Sequence, residues 1–322
     1  MDNKLIISAS PHIYSGDTIE KRMYGVIFAL IPALIVSFIY FGLGALIITL
    51  ASVGSCVLFE FIIQKYLLKK KTTIKDGSAI ITGLLLAFNL PSNLPIWIVM
   101  IGALIAIGVG KMTFGGLGKN IFNPALVGRV FLLISFPAQM TTWPKPGFFP
   151  LEYLDAVTGP TILNMVSNRF GNISSYNDLL LGNIGGSMGE VSAIALLLGF
   201  IYMLWKKIIR WHIPVVVIST VFLFTGIMHI VDPSHYSSPL IHILSGGLLL
   251  GSIFMATDYA TSPMTTKGMV IYAFGIGIIT SVIRLWGIYP EGISFAILIM
   301  NAVTPLLNTY LQPNRFGKEV SR

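Results

Sequence analysis

Asp155, Thr158, Gly159 and Thr161 fall within one heptapeptide, Asp155-Ala156-Val157-Thr158-Gly159-Pro160-Thr161, in a stretch rich in Pro, Gly, Asn and Ser. The Thr161 hydroxyl is the group best placed for covalent chemistry, because Pro160 pins the backbone ahead of it and Asp155 stands six residues upstream. The expectation is an exposed, sterically accessible hydroxyl. A threonine hydroxyl is a weak nucleophile at neutral pH, so joining it to the phosphate of a cofactor requires an external enzyme to activate it. An ordinary turn uses the same Thr-Gly-Pro-Thr residues, and the heptapeptide alone leaves both readings open.

Ionisable side chains inside apolar runs are the next candidates, since charge in a bilayer is costly and defaults to function. Glu60, Arg129, Asp258 and Arg284 qualify. Glu60 and Asp258 stand near run ends and are expected at an interface, and Arg284 near an outer end can snorkel. Arg129 is deeper, six residues beyond Asn123, and its bidentate fork suits a phosphate or a ring oxygen. Asn89, Asn123, Thr257 and Asn301 could line a ligand or cation path, although helix–helix hydrogen bonding explains them equally. His229, His235 and His242 could ligate a haem, but packing histidines are the more common reading. Trp97, Trp143, Trp205, Trp211 and Trp286 fit an interfacial belt.

These residues are carried by elements that must cross a membrane. Of 322 residues 54% are hydrophobic and 11% charged, with a mean hydropathy of +0.81. A spanning helix needs roughly 20 apolar residues, and ten runs qualify: about 24 to 40, 42 to 63, 78 to 90, 94 to 110, 122 to 137, 190 to 205, 213 to 231, 239 to 257, 268 to 285 and 293 to 311. The run 78 to 90 stops at Asn89-Leu90-Pro91 and predicts a broken or half-crossing helix. Ten crossings with the N-terminus inside put 17 basic residues on the cytoplasmic side and only Lys145 and Arg169 outside, so the positive-inside rule predicts cytoplasmic termini. The +8 net charge is thereby explained by topology and the membrane lipid, with no nucleic-acid partner. No cleavable signal peptide is expected.

Cys56 is the single cysteine, which excludes an intrachain disulfide and a cysteine-ligated iron–sulfur cluster. Gly115-Gly116-Leu117-Gly118-Lys119-Asn120 lacks the Gly and Ser/Thr that a phosphate loop needs at 113 and 120. Residues 138 to 188 form an outer segment too long for a passive connector. The chain thus divides into a first half, 1–137, the loop, 138–188, and a second half, 189–322. Gly83-Leu84-Leu85-Leu86-Ala87 in the third run is echoed by Gly247-Leu248-Leu249-Leu250-Gly251 in the eighth. Five spans separate the copies, and an odd number inverts the second relative to the first. Asn123-Pro124 and Asn301 to Pro305 mark further helix breaks, whose freed backbone groups must face protein or a polar ligand.

Four blocks carry a resemblance across nearly the whole chain: Ser78 to Phe88; Gly115-Gly116-Leu117-Gly118-Lys119-Asn120-Ile121-Phe122-Asn123-Pro124-Ala125; Phe254-Met255-Ala256-Thr257-Asp258-Tyr259-Ala260-Thr261-Ser262-Pro263; and Ile283-Arg284 through Tyr289-Pro290-Glu291-Gly292 to Asn301. They resemble the RnfD component of the Rnf electron transport complex and the related NqrB component of the sodium-pumping NADH:quinone reductase. The resemblance implies an all-α polytopic membrane protein of two inverted five-helix halves, similar to urea transporters. It implies FMN joined through a phosphodiester to the last threonine of an Asp-x-x-Ser/Thr-Gly-Ala-Thr pattern, here Asp155, Thr158, Gly159 and Thr161, with Pro160 in place of the usual Ala. It further implies a noncovalent riboflavin, a flavin transferase for maturation, and the partner components RnfA, RnfB, RnfC, RnfE and RnfG. The FMN of the outward-facing RnfG would exchange electrons with the FMN on Thr161. The activity implied is flavin-to-flavin electron transfer between ferredoxin and NAD, coupled to sodium or proton movement in the bacterial cytoplasmic membrane. A solute channel of the same helical plan, or a membrane scaffold for other subunits, shares everything but a reason for the Asp155–Thr161 loop.

Overall fold

The computed structural model describes residues 17–70, 72–154, 157–168, 176–190, 192–287, 289 and 291–312. Asp155, expected to open the attachment motif, lies outside the described residues. The helices in chain order are α1 (Ile19–Ile62), α2 (Ser78–Phe88), α3 (Ile96–Leu104), α4 (Pro124–Ser135), α5 (Pro137–Met140), α6 (Ile162–Asn168), α7 (Tyr176–Leu181), α8 (Ala193–Trp205), α9 (His212–Val231), α10 (Pro239–Leu244), α11 (Leu248–Leu250), α12 (Thr266–Trp286) and α13 (Ile293–Tyr310). Stretches of π-helix extend α1, α3 and α11. Among the described residues the only strands are β1 (Trp143–Pro144) and β2 (Thr158–Gly159), which pair antiparallel within the 138–188 loop.

Four helical stretches are long and apolar enough to cross a bilayer: Ile19–Leu67, His212–Val231, Thr266–Trp286 and Ile293–Tyr310. Ser78–Phe88, Ile96–Met112, Pro124–Ser135 and Ala193–Trp205 are shorter apolar helices. Many large apolar side chains face outward along these helices, among them Phe28, Leu50, Ile201, Leu223 and Phe274, as lipid-facing surface requires. The molecule is therefore an all-α, multi-pass membrane protein.

The breaks have local causes. α1 holds two apolar runs and bends at Gly42, whose positive φ of 50° favours glycine. A Cβ there would also overlap the Pro150 carbonyl, and the Leu43 N–H donates to that same oxygen at 3.1 Å. The 138–188 loop is thus pinned into the kink. α2 stops after 11 residues, as its Asn89-Leu90-Pro91 ending predicts, and the 187–190 segment repairs the exposed end. The Gly189 N–H donates to the Phe88 carbonyl at 2.9 Å, satisfying a group that lipid could not.

The run 239 to 257, expected to be continuous, is interrupted at Ser245-Gly246-Gly247 and resumes as α11. Gly246 takes a positive φ of 66° there. Asn123 proves to be a helix start rather than a break. Its side-chain oxygen accepts from the Ala125 and Leu126 N–H groups, with Pro124 at the first helical position.

Candidate functional site

The described part of the heptapeptide sits on the β1–β2 pairing, with Lys145 laid along Gly159. Thr158 is exposed and Thr161 is not: only 5% of Thr161 is accessible. The expected exposed hydroxyl is therefore corrected. The cause is the start of α6, where the Thr161 Oγ1 accepts from the Asn164 N–H at 3.2 Å and the side chain turns inward as a cap. Around it a cavity of about 10 Å³ is lined by Thr161, Gly185, Glu190, Ser245, Gly246 and Glu291. That volume corresponds to about one water molecule.

Two carboxylates, Glu190 and Glu291, the latter present in a family block but with no expected role, thus share a cavity wall with Thr161. Arg129 of α4 reaches them from the first half. Its guanidinium donates to Glu291, to the Asn89 Oδ1 at 2.7 Å and to the Ser294 Oγ at 2.6 Å, and stands 3.6 Å from Glu190. The ligands of Arg129 are protein groups, and the cation joins α2, α4, the segment before α8 and the start of α13. Glu190 is 4% exposed, and neither of its carboxylate oxygens receives a hydrogen bond.

Arg284 does not snorkel as expected. It is buried and donates to the His242 carbonyl and, at 3.2 Å, to the Ser245 carbonyl, the groups freed where the α10 run breaks. His242 is buried beside it, while the His229 Nδ1 hydrogen-bonds the Tyr236 carbonyl at 2.6 Å.

On the other side of Arg129 lies a second constellation. Glu60, expected at an interface, is fully buried, and Lys111, counted as a cytoplasmic anchor, is buried with it. The Lys111 Nζ donates to the Glu60 Oε2 and the Ser78 Oγ, both at 2.6 Å, and Gln64 donates to Glu60 at 3.0 Å. Lys111 also lines a cavity of about 80 Å³ together with Thr82, Asn120, Asn123, Thr257 and Asp258. Arg22, Ile208, Thr257 and Tyr259 continue from that cavity into an open cleft of about 960 Å³. Of the four residues proposed to line a path, Asn123 and Thr257 border this cavity. Asn89 joins Arg129. Asn301, with its oxygen toward the Asn123 N–H at 3.1 Å and its nitrogen toward the Tyr272 hydroxyl at 2.7 Å, ties α13 to α4.

The match to known proteins runs the length of this architecture. Residues 6–317 fit the model of the NQR2, RnfD, RnfE family. The chain belongs to that family. It is 46% identical over 316 residues to the D component of the Na(+)-translocating ferredoxin:NAD(+) oxidoreductase complex of Acetobacterium woodii, spanning 97% of this chain and 95% of that protein. It is 43% identical to the D component of the proton-translocating ferredoxin:NAD(+) oxidoreductase complex of Clostridium ljungdahlii, over 98% of this chain and 97% of that protein. The D component of the ion-translocating oxidoreductase complex of Stutzerimonas stutzeri is 36% identical over 94% of this chain and 93% of that protein. Within the family, these relatives place the chain with the RnfD proteins of Rnf complexes.

Proposed function

We propose that the chain is the flavin-bearing membrane subunit of an Rnf-type ion-translocating ferredoxin:NAD oxidoreductase, passing electrons between a flavin on Thr161 and one held nearer the cytoplasm. The observation that carries the reading is the full-length similarity to the D components of complexes so named, in a chain that also carries Thr158, Gly159 and Thr161 of the attachment pattern. Relatives are named for sodium and for protons alike, so both ions stay within the proposal. The partners RnfA, RnfB, RnfC, RnfE and RnfG, foremost the FMN-bearing RnfG, and a flavin transferase follow from it.

The residues fit such a group in a specific way. Thr161 supplies the hydroxyl for a phosphodiester and Lys145, lying against Gly159, supplies a balancing cation. The 10 Å³ cavity does not admit a flavin, so attachment requires the Thr161 hydroxyl to turn out of the α6 cap and to stay out once it carries the phosphate. The amide and hydroxyl groups of Asn120, Asn123 and Thr257, set among apolar walls, match the mixed polarity of a riboflavin ring, and the adjoining cleft gives it room to enter. When bound, the flavins supply the redox chemistry; the chain places them and tunes their surroundings.

The direct test is denaturing gel electrophoresis of the chain produced with a flavin transferase. A band that fluoresces as flavin after denaturation is the expected result. A dark band would return the chain to a solute carrier or a scaffold. The ten-crossing topology with cytoplasmic termini makes a separate forecast. In a Cys56→Ser background, a cysteine replacing the exposed Val157 should react with an impermeant maleimide in intact cells, and one replacing Lys206 only after lysis. The reverse pattern would overturn the orientation and the outer placement of Thr161.

A further inference from the structure

The connector from α8 to α9 carries Lys206, Lys207 and Arg210 between Trp205 and Trp211. It closes α8 with two hydrogen bonds, from the Lys207 N–H to the Leu204 carbonyl at 3.0 Å and from the Ile208 N–H to the Met203 carbonyl at 2.8 Å. That closure puts Lys207 in the left-handed region, at a φ of 52°, where glycine is usual and a side chain costs energy. The turn itself gains nothing from a lysine there, so the strain points to a use for the side chain. Arg22 and Tyr259 fix the connector from outside by donating to the Lys207 and Ile208 carbonyls. Arg22 is itself paired with Asp17 at 2.6 Å. Lys207 and Arg210 are exposed in the open cleft of about 960 Å³, which no carboxylate lines among the described residues. Ile209, Ile213, Met264 and Met269 line the same cleft. α9 starts at its wall with no side-chain cap, and the His212 Nδ1 there is buried without a partner.

We propose that this cleft is a binding site for one anionic phospholipid, with Lys207 and Arg210 holding its phosphate. Two cations with no carboxylate facing them suit a phosphodiester, which takes charge-assisted hydrogen bonds from both, and the uncapped start of α9 adds amide donors of the kind that anions accept. A free phosphate would leave the apolar lining idle, whereas a lipid lays its acyl chains against it. A basic pocket between spanning helices at the membrane surface is where such headgroups settle. Trp205 and Trp211, both exposed on either side of the cations, mark that depth. The large apolar side chains that α9 and α12 turn outward, Leu223 and Phe274 among them, already require lipid as their neighbour. The site rests on neither the flavin reading nor the orientation of the chain in the membrane.

Native mass spectrometry of the full chain, stripped of lipid in detergent and titrated with phosphatidylglycerol or with phosphatidylcholine of the same acyl chains, tests the site. One phosphatidylglycerol should bind at concentrations where phosphatidylcholine does not. Lys207→Gln combined with Arg210→Gln should weaken that binding roughly thirtyfold, as two cations at a lipid surface would. Lys119→Gln, which removes an exposed charge outside the cleft, should leave it unchanged. Lys207→Gly separates the site from the fold: relief of the left-handed strain should raise the thermal unfolding temperature of the lipid-free chain while phosphatidylglycerol binds more weakly. Equal binding of the two lipids, equal binding by the parent and the double variant, or displacement of the lipid by excess glycerol phosphate overturns the proposal. So does loss of a partner subunit from the assembled complex in the double variant with its bound lipid retained, which would make the cleft a protein contact.

Discussion

Thr161→Ala, produced with a flavin transferase, should have an intact mass smaller by one FMN than the parent chain, beyond the change in side chain, whereas Thr158→Ala should keep the flavin. The two hydroxyls differ in place as well as in position. Thr158 is exposed on the β2 edge, and Thr161 opens α6 beside the Glu190 cavity. Electron arrival at Thr161 would therefore be felt by the buried ion network, and at Thr158 chiefly by solvent. Retention of the flavin in Thr161→Ala together with its disappearance from Thr158→Ala would move the attachment site and detach the network from it.

The second large effect is expected at Arg129. Removing one partner of a buried ion pair costs about 3–5 kcal/mol, because the remaining charge is left uncompensated. Arg129→Met would leave both Glu190 and Glu291 without their nearest cation. The purified chain should lose stability on that scale in thermal unfolding, and any flavin nearby should show a lower midpoint potential, since a positive charge that favours the reduced anion is gone. Arg129→Met combined with Glu190→Gln and Glu291→Gln should recover most of the loss, because the uncompensated charges leave together. Equal destabilisation of the single and triple variants would mean that Arg129 acts through packing alone.

What is legible in the residues follows from how each signal is written. Apolar runs and helix-stopping pairs are local, so the early end of α2 at Asn89-Leu90-Pro91 and the α4 start at Asn123-Pro124 can be located by reading along the chain. The family blocks are equally plain. Glu190 is not, and Glu291 shows only as one letter of a family block with no role attached, because each precedes a helix and looks like an ordinary polar connector until the fold sets both against Arg129. Lys111 misleads for a similar reason. It ends an apolar run, where a cation normally marks the cytoplasmic edge, and its true partner Glu60 stands 51 residues earlier. Thr161 looks open because Pro and Gly surround it, yet its capping role in α6 depends on an N–H three residues on, and its burial on residues 185, 190 and 246. The interruption of α10 at Ser245-Gly246-Gly247 carries a glycine signal that reads along the chain only as part of a repeat.

The bonds that cross from the first half to the second limit what the molecule can do mechanically. The Asn123 amide donates to the Met255 carbonyl at 3.1 Å, and Arg129 grips Glu291 and Ser294. A carrier that works by rocking its halves would have to tear these contacts and bury their polar remnants in every cycle. A conduit gains from keeping them. The rate at which an electron tunnels falls steeply with the gap it must cross, so two redox groups on either side of Arg129 would be served best by a spacer of constant length, and the stitched centre of this protein is built as a strut.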